Sequence, residues 1–249
     1  MINLLHGDCL DLIKDLPNGC ADMALIDLPY GTTHCPWDCT IDLNLMWNEL
    51  QRVVKEDGAM CFFAQTPFDK VLGMSNLENL RYEWIWEKPR ATGHYNANIA
   101  PMKAHENILV FYRKPPTYNP QFTEGHKKNS RWTKMVHVQN GTTVYNQANR
   151  EYSGGGNTVR YPRSVLTFST ERGLHDTQKP VLLCEYLIRT YTNPGETVID
   201  LCMGSGTTGI ACINSGRRFI GMELNEEIFN TASERIDKRL SEGIQVELT

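Results

Sequence analysis

A glycine-rich loop near the carboxyl end of the chain constrains the fold most strongly. It follows an apolar run typical of a buried strand, residues 197–201 (TVIDL), and precedes a helical segment that begins at residues 210–213 (IACI). A Gly-x-Gly-x-x-Gly loop between a strand and a helix, here Gly204 to Gly209, lets a ligand approach the backbone closely. Glu223 ends the next strand, about 20 residues later, where an acid can bind ribose hydroxyls. The stretch predicts a β-α-β unit that binds an adenosine cofactor.

The first third of the chain alternates strand-like and helical patterns. Apolar runs of strand length occur at residues 2–5, 21–26, 59–64 and 82–86, and apolar residues at helical spacing occur at 9–16, 43–57 and 68–80. Alternating strands and helices predict a parallel sheet covered by helices on both faces. We therefore expect a doubly wound, mainly parallel α/β sheet. A last helix is expected to begin after Asn225 and to stop at Gly243.

Residues 88–165 depart from this alternation. Apart from one strand-like run near residues 108–112, the segment is rich in glycine, asparagine and proline, so we expect an irregular insert. From Trp84 to Val165 there are 12 lysine or arginine residues and 4 acidic residues, a net charge of +8, whereas the rest of the chain carries −12. A basic segment with interleaved aromatic residues is typical of a nucleic-acid-binding surface. A solvated loop face is the alternative.

The residues Asp27-Leu28-Pro29-Tyr30 combine a carboxylate, a rigid kink and an aromatic ring directly after a strand-like run. Open α/β sheets bind ligands at the carboxyl ends of their strands. Pro29 has a fixed φ and biases Leu28 away from helix, so Asp27 and Tyr30 can face one bound object. A planar amine suits this arrangement, because the carboxylate and a backbone carbonyl accept its hydrogens while the ring stacks on its face. An ordinary strand-to-turn exit is the alternative.

Two classes of cofactor fit the glycine loop. Its spacing, with Glu223, satisfies the dinucleotide fingerprint and taken alone indicates NAD. The same geometry suits any adenosine cofactor. An oxidoreductase has no use for the Asp-Leu-Pro-Tyr motif or for a basic aromatic insert, so a different adenosine cofactor is favoured.

Together these motifs resemble those of the β-class amino-methylating DNA methyltransferases, which use S-adenosylmethionine. In that family a (D/N/S)-P-P-Y motif comes first, a target-recognition region follows, and the cofactor glycine motif lies near the carboxyl end. The same order is formed here by Gly7-Asp8, residues 27–30 (DLPY), 105–111 (HENILVF), 175–180 (HDTQKP) and 200–208 (DLCMGSGTT). The resemblance covers nearly the whole chain. It implies a Rossmann-like methyltransferase fold with circularly permuted motif order.

Two residues depart from the family pattern. Leu28 stands where the first proline is usual, and Asp176 stands where the family often has proline. The change at position 28 leaves the backbone carbonyl available, so we expect activity to survive. The resemblance offers no interpretation of Asp176.

The resemblance also implies a division of the chain and an activity. Residues 1–87 would form the catalytic half, 88–165 the target-recognition region with one core strand near 108–112, and 166–249 the cofactor-binding half. The implied reaction is site-specific methyl transfer to the N6 amine of adenine in double-stranded DNA, with base flipping. An aspartate at position 27 favours adenine. A cytosine-N4 enzyme and a catalytically inactive DNA-binding module are the alternatives, and a homodimer and a cognate restriction endonuclease are open as partners.

The catalytic role falls on residues 27–30. Asp27 and the carbonyl of Leu28 would accept the two amine hydrogens, Pro29 would hold the turn, and Tyr30 would stack on the extruded base. This chemistry needs no covalent intermediate, so none of the eight cysteines need be a nucleophile. For duplex binding the candidates are Lys127, Lys128 and Arg131, with Arg160 and Arg163 as further basic residues.

The implied cofactor-binding residues are Asp8, Lys179, Asp200, Gly204, Ser205, Gly206, Thr207 and Glu223. Several have a second interpretation. Asp8 also suits the N-cap of a helix, and Glu223 could be a surface acid. Lys179 could be an exposed lysine. Asp200 would either orient the glycine loop or contact the cofactor.

Cysteines and apolar runs limit the other function classes. Cys35 and Cys39 lie beside His34, but there is no second pair at metal-ligand spacing, so we expect no metal. The other cysteines lie mostly in apolar runs, which favours reduced thiols. No apolar run approaches the roughly 20 residues of a membrane span, and the amino terminus lacks a signal-peptide pattern. We expect a cytoplasmic protein without a membrane partner.

Overall fold

Strands and helices alternate along the part of the chain that the structure, a computed structural model, describes: residues 1–30, 41–128, 130, 132–136, 150–171 and 178–247. The strands are β1 (Ile2–His6), β2 (Ala21–Asp27), β3 (Val54–Ala64), β4 (Leu80–Thr92), β5 (Lys103–Phe111), β6 (Trp132–Val136), β7 (Arg150–Gly154), β8 (Val165–Thr167), β9 (Thr197–Asp200) and β10 (Arg218–Glu223). The α-helices are α1 (Cys9–Leu12), α2 (Leu43–Val53), α3 (Phe68–Ser75), α4 (Val181–Tyr191), α5 (Thr207–Ser215) and α6 (Glu226–Glu247).

Two compact units divide the chain. The larger comprises Met1–Asn119 and Arg163–Thr249, and the smaller comprises Pro120–Pro162. The larger unit contains an eight-stranded sheet in the order β1-β10-β9-β2-β3-β5-β4-β8. Only β5 runs antiparallel to its neighbours in this sheet. The carboxyl ends of the other seven strands therefore lie at one edge, which we call the carboxyl edge, and the amino end of β5 lies there too.

Helices cover both faces of this sheet. Successive side chains of a strand point to opposite faces, so a central strand such as β2 packs against the helices on both sides. On β2, Met23 and Leu25 pack into one apolar cluster with residues of α4, α5 and α6. Ala24 and Ile26 pack into a second cluster with residues of α1, α2 and α3. The mainly parallel, doubly wound α/β fold expected from the sequence is confirmed.

Several element boundaries differ from the sequence-based predictions. Helix α2 ends at Val53 rather than near residue 57, because Val54 already pairs with Ala21 in the sheet. Helix α3 ends at Ser75, and Leu80 pairs with Phe111 at the start of β4. The loop expected from residue 88 begins later, since β4 continues to Thr92. Helix α6 passes through position 243, where a stop was expected.

The smaller unit contains more regular structure than the expected irregular insert. Strands β6 and β7 form an antiparallel hairpin with five paired positions. Thr123 and Arg160 exchange two backbone hydrogen bonds of 3.0 and 2.9 Å. The rings of Phe122 and Tyr161 lie 4.8 Å apart. Pairings of this kind, which no periodic pattern in the sequence indicates, connect the described residues of this unit.

No helix among the described residues is both long and apolar enough to cross a membrane.

Candidate active site

Four acidic residues lie at the ends of four neighbouring strands on the carboxyl edge. Asp27, Asp200 and Glu223 are the last residues of β2, β9 and β10, and Asp8 follows β1 by two positions. The order of these strands in the sheet is β1-β10-β9-β2. Because the strands are parallel, all four carboxylates are brought to one edge, as the sequence predicts.

Both carboxylate oxygens of Asp27 are hydrogen-bonded. The hydroxyl of Tyr30 donates to Oδ1 at 2.8 Å, and the ammonium of Lys179 donates to Oδ2 at 2.5 Å. The ring of Tyr30 stacks on Phe68, with centroids 5.1 Å apart and an interplanar angle of 29°. About 30% of the Asp27 side chain remains exposed. Asp27 is therefore joined to Tyr30 at the end of β2, and its side chain is partly exposed at the carboxyl edge.

The turn after Asp27 is anchored by Leu28. Its side chain is buried in the cluster on the α1, α2 and α3 face of the sheet. The leucine that departs from the family pattern therefore contributes to the core, while Pro29 beside it is half-buried.

Lys179 is buried, so the alternative of an exposed lysine is wrong. Its Nζ lies against Asp27, 3.5 Å from Oε2 of Glu106 and 5.3 Å from the ring centroid of Phe63. Burial alone would lower the pKa of Lys179, but the carboxylates of Asp27 and Glu106 raise it above its ordinary value. The lysine is therefore held as a cation beside Asp27.

Glu106 continues this set of charges. It lies on β5, is buried, and accepts a hydrogen bond from Lys88 on β4 through Oε1. Burial alone would raise the pKa of Glu106, but Lys179 and Lys88 bring it below its usual value. Asp27, Lys179, Glu106 and Lys88 thus form a row of alternating charges, which we call the charge row.

The charge row was missed by the sequence analysis, which assigned no role to Glu106 or Lys88. A signal was present in one case, because Glu106 lies two positions before the buried apolar run of β5, which begins at Ile108. An acid at that position requires a cationic partner. No local pattern identifies the partner, since Lys179 lies 73 positions away along the chain.

The glycine loop exposes its backbone at Gly204. This residue has φ +51°, and a Cβ built on it would meet no atom within 4 Å. The carboxylate of Glu223 accepts hydrogen bonds from the Gly204 amide at 3.1 Å and from the Asn225 amide at 2.8 Å. Glu223 is thus part of the loop structure and is half-buried, so the interpretation as a plain surface acid is wrong.

Asp200 braces the same loop from beneath. It is buried and accepts hydrogen bonds from the Cys202 amide at 3.1 Å and the Thr208 hydroxyl at 2.7 Å. Burial raises the pKa of Asp200 to about 7, although these two donors counteract the effect. Its position matches the loop-orienting alternative.

The remaining loop residues are tied to α6. Arg235 donates to the carbonyl oxygen of Ser205 at 2.9 Å and to the hydroxyl of Thr207 at 3.2 Å. Gly206 has φ +79° and lies against Ile236. Asp8 is exposed and caps α1, accepting the Leu10 amide at 2.8 Å, so its predicted N-cap role is observed.

Other predicted residues lie away from the carboxyl edge or outside the described residues. Lys127 and Lys128 are exposed in the smaller unit, and Arg163 is exposed in the larger one. Arg160 donates to backbone carbonyls of the smaller unit, including that of Lys127. Outside the described residues lie Arg131, Asp176 and the group His34, Cys35 and Cys39. Among the described residues no group of three potential ligands could hold a metal.

The carboxyl edge suits an adenosine cofactor with a cationic sulfur. The open backbone at Gly204 permits close approach, and an ionised carboxylate keeps acceptor capacity beyond its two amide donors. Glu223 could therefore still accept ribose hydroxyls. The edge is also acidic, which favours a cation over a pyrophosphate.

The fold and this edge define the protein as a Rossmann-like, S-adenosylmethionine-dependent methyltransferase. The chain belongs to the DNA methylase family of adenine-N6 and cytosine-N4 enzymes, whose sequence profile matches residues 21–234. The structure of an M1.HpyAVI complex with S-adenosylmethionine is similar, with a TM-score of 0.63 and 26% identity, covering 94% of this chain and all of that one. The PvuII DNA methyltransferase (cytosine-N4-specific) shares the fold, with a TM-score of 0.66 and 15% identity over 96% of this chain and 90% of its own.

Two sequence relatives span most of the chain. The DNA adenine methyltransferase YhdJ of Escherichia coli (strain K12) is 29% identical over 252 residues, which cover 94% of this chain and 82% of YhdJ. The type II methyltransferase M2.LlaDCHI of Lactococcus lactis subsp. cremoris is 32% identical over 261 residues, which cover 97% of this chain and 91% of that protein.

Proposed function

We propose that this DNA methyltransferase methylates the N6 amine of adenine at a specific site in double-stranded DNA. The observation that carries the proposal is the partly exposed Asp27 carboxylate, joined to Tyr30 and Lys179 on the same edge as the glycine loop. The similarity to YhdJ, named as an adenine methyltransferase, supports adenine over cytosine. The cytosine-N4 reaction is the second candidate, because the same acceptor pair suits either exocyclic amine.

The chemistry begins with a weak nucleophile. The lone pair of an exocyclic amine is conjugated with its ring and is poorly available for attack. In the proposed mechanism Asp27 accepts one amine hydrogen and the backbone carbonyl of Leu28 accepts the other, so the lone pair turns out of the ring plane. S-adenosylmethionine, when bound, supplies the electrophilic methyl group. The nitrogen then loses one proton, and Asp27 is the base placed to accept it.

Tyr30 is the proposed platform for the target base. Its ring is supported from one side by Phe68. Stacking of the base on an aromatic ring stabilises an extruded nucleotide, and extrusion from the duplex is needed because the amine is otherwise inside the helix. We therefore propose base flipping, with Tyr30 replacing part of the lost stacking.

The proposed cofactor contacts follow the exposed features of the loop. Gly204 admits the cofactor to the backbone, Glu223 accepts its ribose hydroxyls, and Asp8 meets its adenine. Asp200, Ser205, Gly206 and Thr207 hold the loop in shape. For Lys179 we propose a position behind Asp27 in place of a direct cofactor contact.

The region 88–165 is proposed to recognise the target sequence. Its net charge of +9, from 12 basic and 3 acidic residues, suits the phosphate backbone. Neutralising Lys127, Lys128 and Arg131 together should lower the log-log salt slope of DNA binding by about 2.7 if each contacts one phosphate. An unchanged slope would move the duplex to Arg160 and Arg163. The type II relatives support a role in restriction and modification with a cognate endonuclease, and a homodimer stays a prediction.

The proposed function is tested with tritiated S-adenosylmethionine and a library of duplexes, followed by sequencing that detects modified bases. We expect label in adenine within one recognition sequence, and none with Asp27→Ala. Label confined to cytosine would replace the first candidate with the second. Cofactor and DNA binding without any transfer would indicate an inactive DNA-binding module.

A further inference from the structure

Three members of the charge row, Lys179, Glu106 and Lys88, have no assigned role in methyl transfer. The row runs from Asp27 at the carboxyl end of β2, through Lys179 just before α4, to Glu106 on β5 and Lys88 on β4. The side chains behind Asp27 are much less exposed than Asp27 itself, with about 30% exposure for Asp27 against 9% for Lys179, 5% for Glu106 and 10% for Lys88. The row therefore connects a partly exposed side chain to three charges that are largely buried.

Stability alone is a weak explanation for such a row. Removing charges from water costs free energy that their mutual attraction often does not recover, and apolar replacements of similar volume are frequently neutral or stabilising. The row contains two anions and two cations, so it has no net charge to offset. Its geometry fixes the ends of long side chains, which matters most where an atom must be placed accurately.

We propose that Lys179 is the positioning residue for Asp27, and that Glu106 and Lys88 hold Lys179 in place. The ammonium fixes Oδ2 of the carboxylate at 2.5 Å. This contact holds the carboxylate against rotation and leaves Oδ1 as the oxygen presented to the substrate amine. The amine would either displace the Tyr30 hydroxyl from Oδ1 or share that oxygen with it. Glu106 at 3.5 Å and the ring of Phe63 keep the ammonium from turning elsewhere. This inference rests on the proposed role of Asp27.

The test uses a charge-balanced double variant, Lys179→Met with Glu106→Gln. The double variant removes one cation and one anion, so the remaining pair, Asp27 and Lys88, keeps zero net charge. Because Glu106 is replaced together with Lys179, no buried glutamate is left facing the new methionine. The control is Lys55→Met, which breaks an ion pair with Asp22 at the opposite end of the same strand, β2. Thermal unfolding, cofactor affinity by calorimetry, DNA affinity and the single-turnover rate of methyl transfer are measured for each.

We expect the double variant to fold and to bind cofactor and DNA as the wild type does, while its single-turnover rate falls about 100-fold, as misplaced catalytic groups do. The control should keep the wild-type rate. Lys179→Arg, which keeps a cation at Asp27, should retain more of the rate than Lys179→Met. If the double variant unfolds, this pair of single variants carries the comparison, and equal rates for the two would overturn the proposal.

Three results are distinguishable. A wild-type rate in the folded double variant would overturn the positioning role and leave the proposed function intact. Weaker cofactor binding with an unchanged rate at saturating cofactor would make Lys179 a cofactor ligand instead. Absence of transfer by the wild type to any DNA amine would overturn the proposed function, and this inference with it.

Discussion

Two glycines of the Gly-x-Gly-x-x-Gly motif, Gly204 and Gly209, should differ in what substitution by alanine changes: cofactor affinity at the first and stability at the second. At Gly209, on α5, the added Cβ would lie 2.7 Å from Cδ1 of Ile236 and 3.0 Å from Cε1 of Phe219. At Gly204 it would meet no atom within 4 Å, although φ there is +51°. Gly209 is therefore needed for packing of α5, whereas Gly204 leaves open the space in which we place the cofactor.

The expected magnitudes follow from these contacts. Overpacking costs about 1–3 kcal/mol, and for a chain of this size 1 kcal/mol lowers the melting temperature by about 2–4 °C. Gly209→Ala should therefore lower it by about 2–12 °C. The ring of Phe219 is rigid, so relaxation must come from the end of Ile236. Gly204→Ala should cost about 1–2 kcal/mol, the strain of a left-handed residue, without a steric clash.

Cofactor affinity should show the opposite order. A methyl group that intrudes on a close-packed ligand costs about 1–3 kcal/mol, so Gly204→Ala should weaken S-adenosylmethionine binding by about 5- to 150-fold. Gly209→Ala should bind with nearly wild-type affinity at temperatures where it is folded. Differential scanning calorimetry and isothermal titration calorimetry measure the two quantities independently. Wild-type cofactor affinity in Gly204→Ala would refute the close approach, and an unchanged melting temperature in Gly209→Ala would refute the packing argument.

Three further predictions concern the carboxylates of the edge. Asp27→Asn should abolish or greatly reduce methyl transfer while cofactor and DNA binding persist, because an amide can turn a donor toward the amine; full activity in the tritium assay would contradict the mechanism. Glu223→Ala should weaken cofactor binding by about 1.5–3 kcal/mol, and an unchanged affinity by calorimetry would remove it from the site. Burial raises the pKa of Asp200 to about 7 in the folded protein, whereas in the unfolded protein Asp200 releases its proton near pH 4. Between these two pH values the folded protein binds one more proton than the unfolded protein. The free energy of unfolding without cofactor should therefore fall as the pH rises from about 4 to above 7, by up to about 4 kcal/mol. Denaturant unfolding of Asp200→Asn should lack this decline, and an equal decline in both proteins would assign it to other groups.

The fold could be predicted from the sequence because its signals are local. The run from Met23 to Ile26 is wholly apolar, which is typical of a strand buried on both faces, and the structure buries all four residues. The glycine loop stands between β9 and α5, as its spacing predicts, although α5 begins at Thr207 and already contains Gly209. Element ends were predicted less well. Val53 and Val54 are both apolar, so the sequence pattern does not separate them, and pairing with β2 decides that the strand starts at Val54.

The charge row could not be predicted because its partners are distant in sequence. Lys179 and Asp27 are 152 positions apart, and nothing near either residue indicates the other. The sequence placed Lys179 near the cofactor from its neighbour Pro180 and the preceding motif alone. Tertiary packing brings the end of β2 and the start of α4 together, and burial then turns a lysine that would otherwise be solvated into a fixed partner.

The four carboxylates of the carboxyl edge all lie at or just after the end of a strand, but their burial and their hydrogen-bond partners differ. These differences decide which role each carboxylate can have. Asp200 is buried beside neutral donors, so burial raises its pKa and the carboxylate cannot reach a substrate. Glu223 is engaged by two loop amides and can act on a ligand only beside them. Asp8 is exposed and carries a helix cap. Asp27 alone among these four combines a bound cation with a side chain that is about 30% exposed, which suits a base facing an incoming amine.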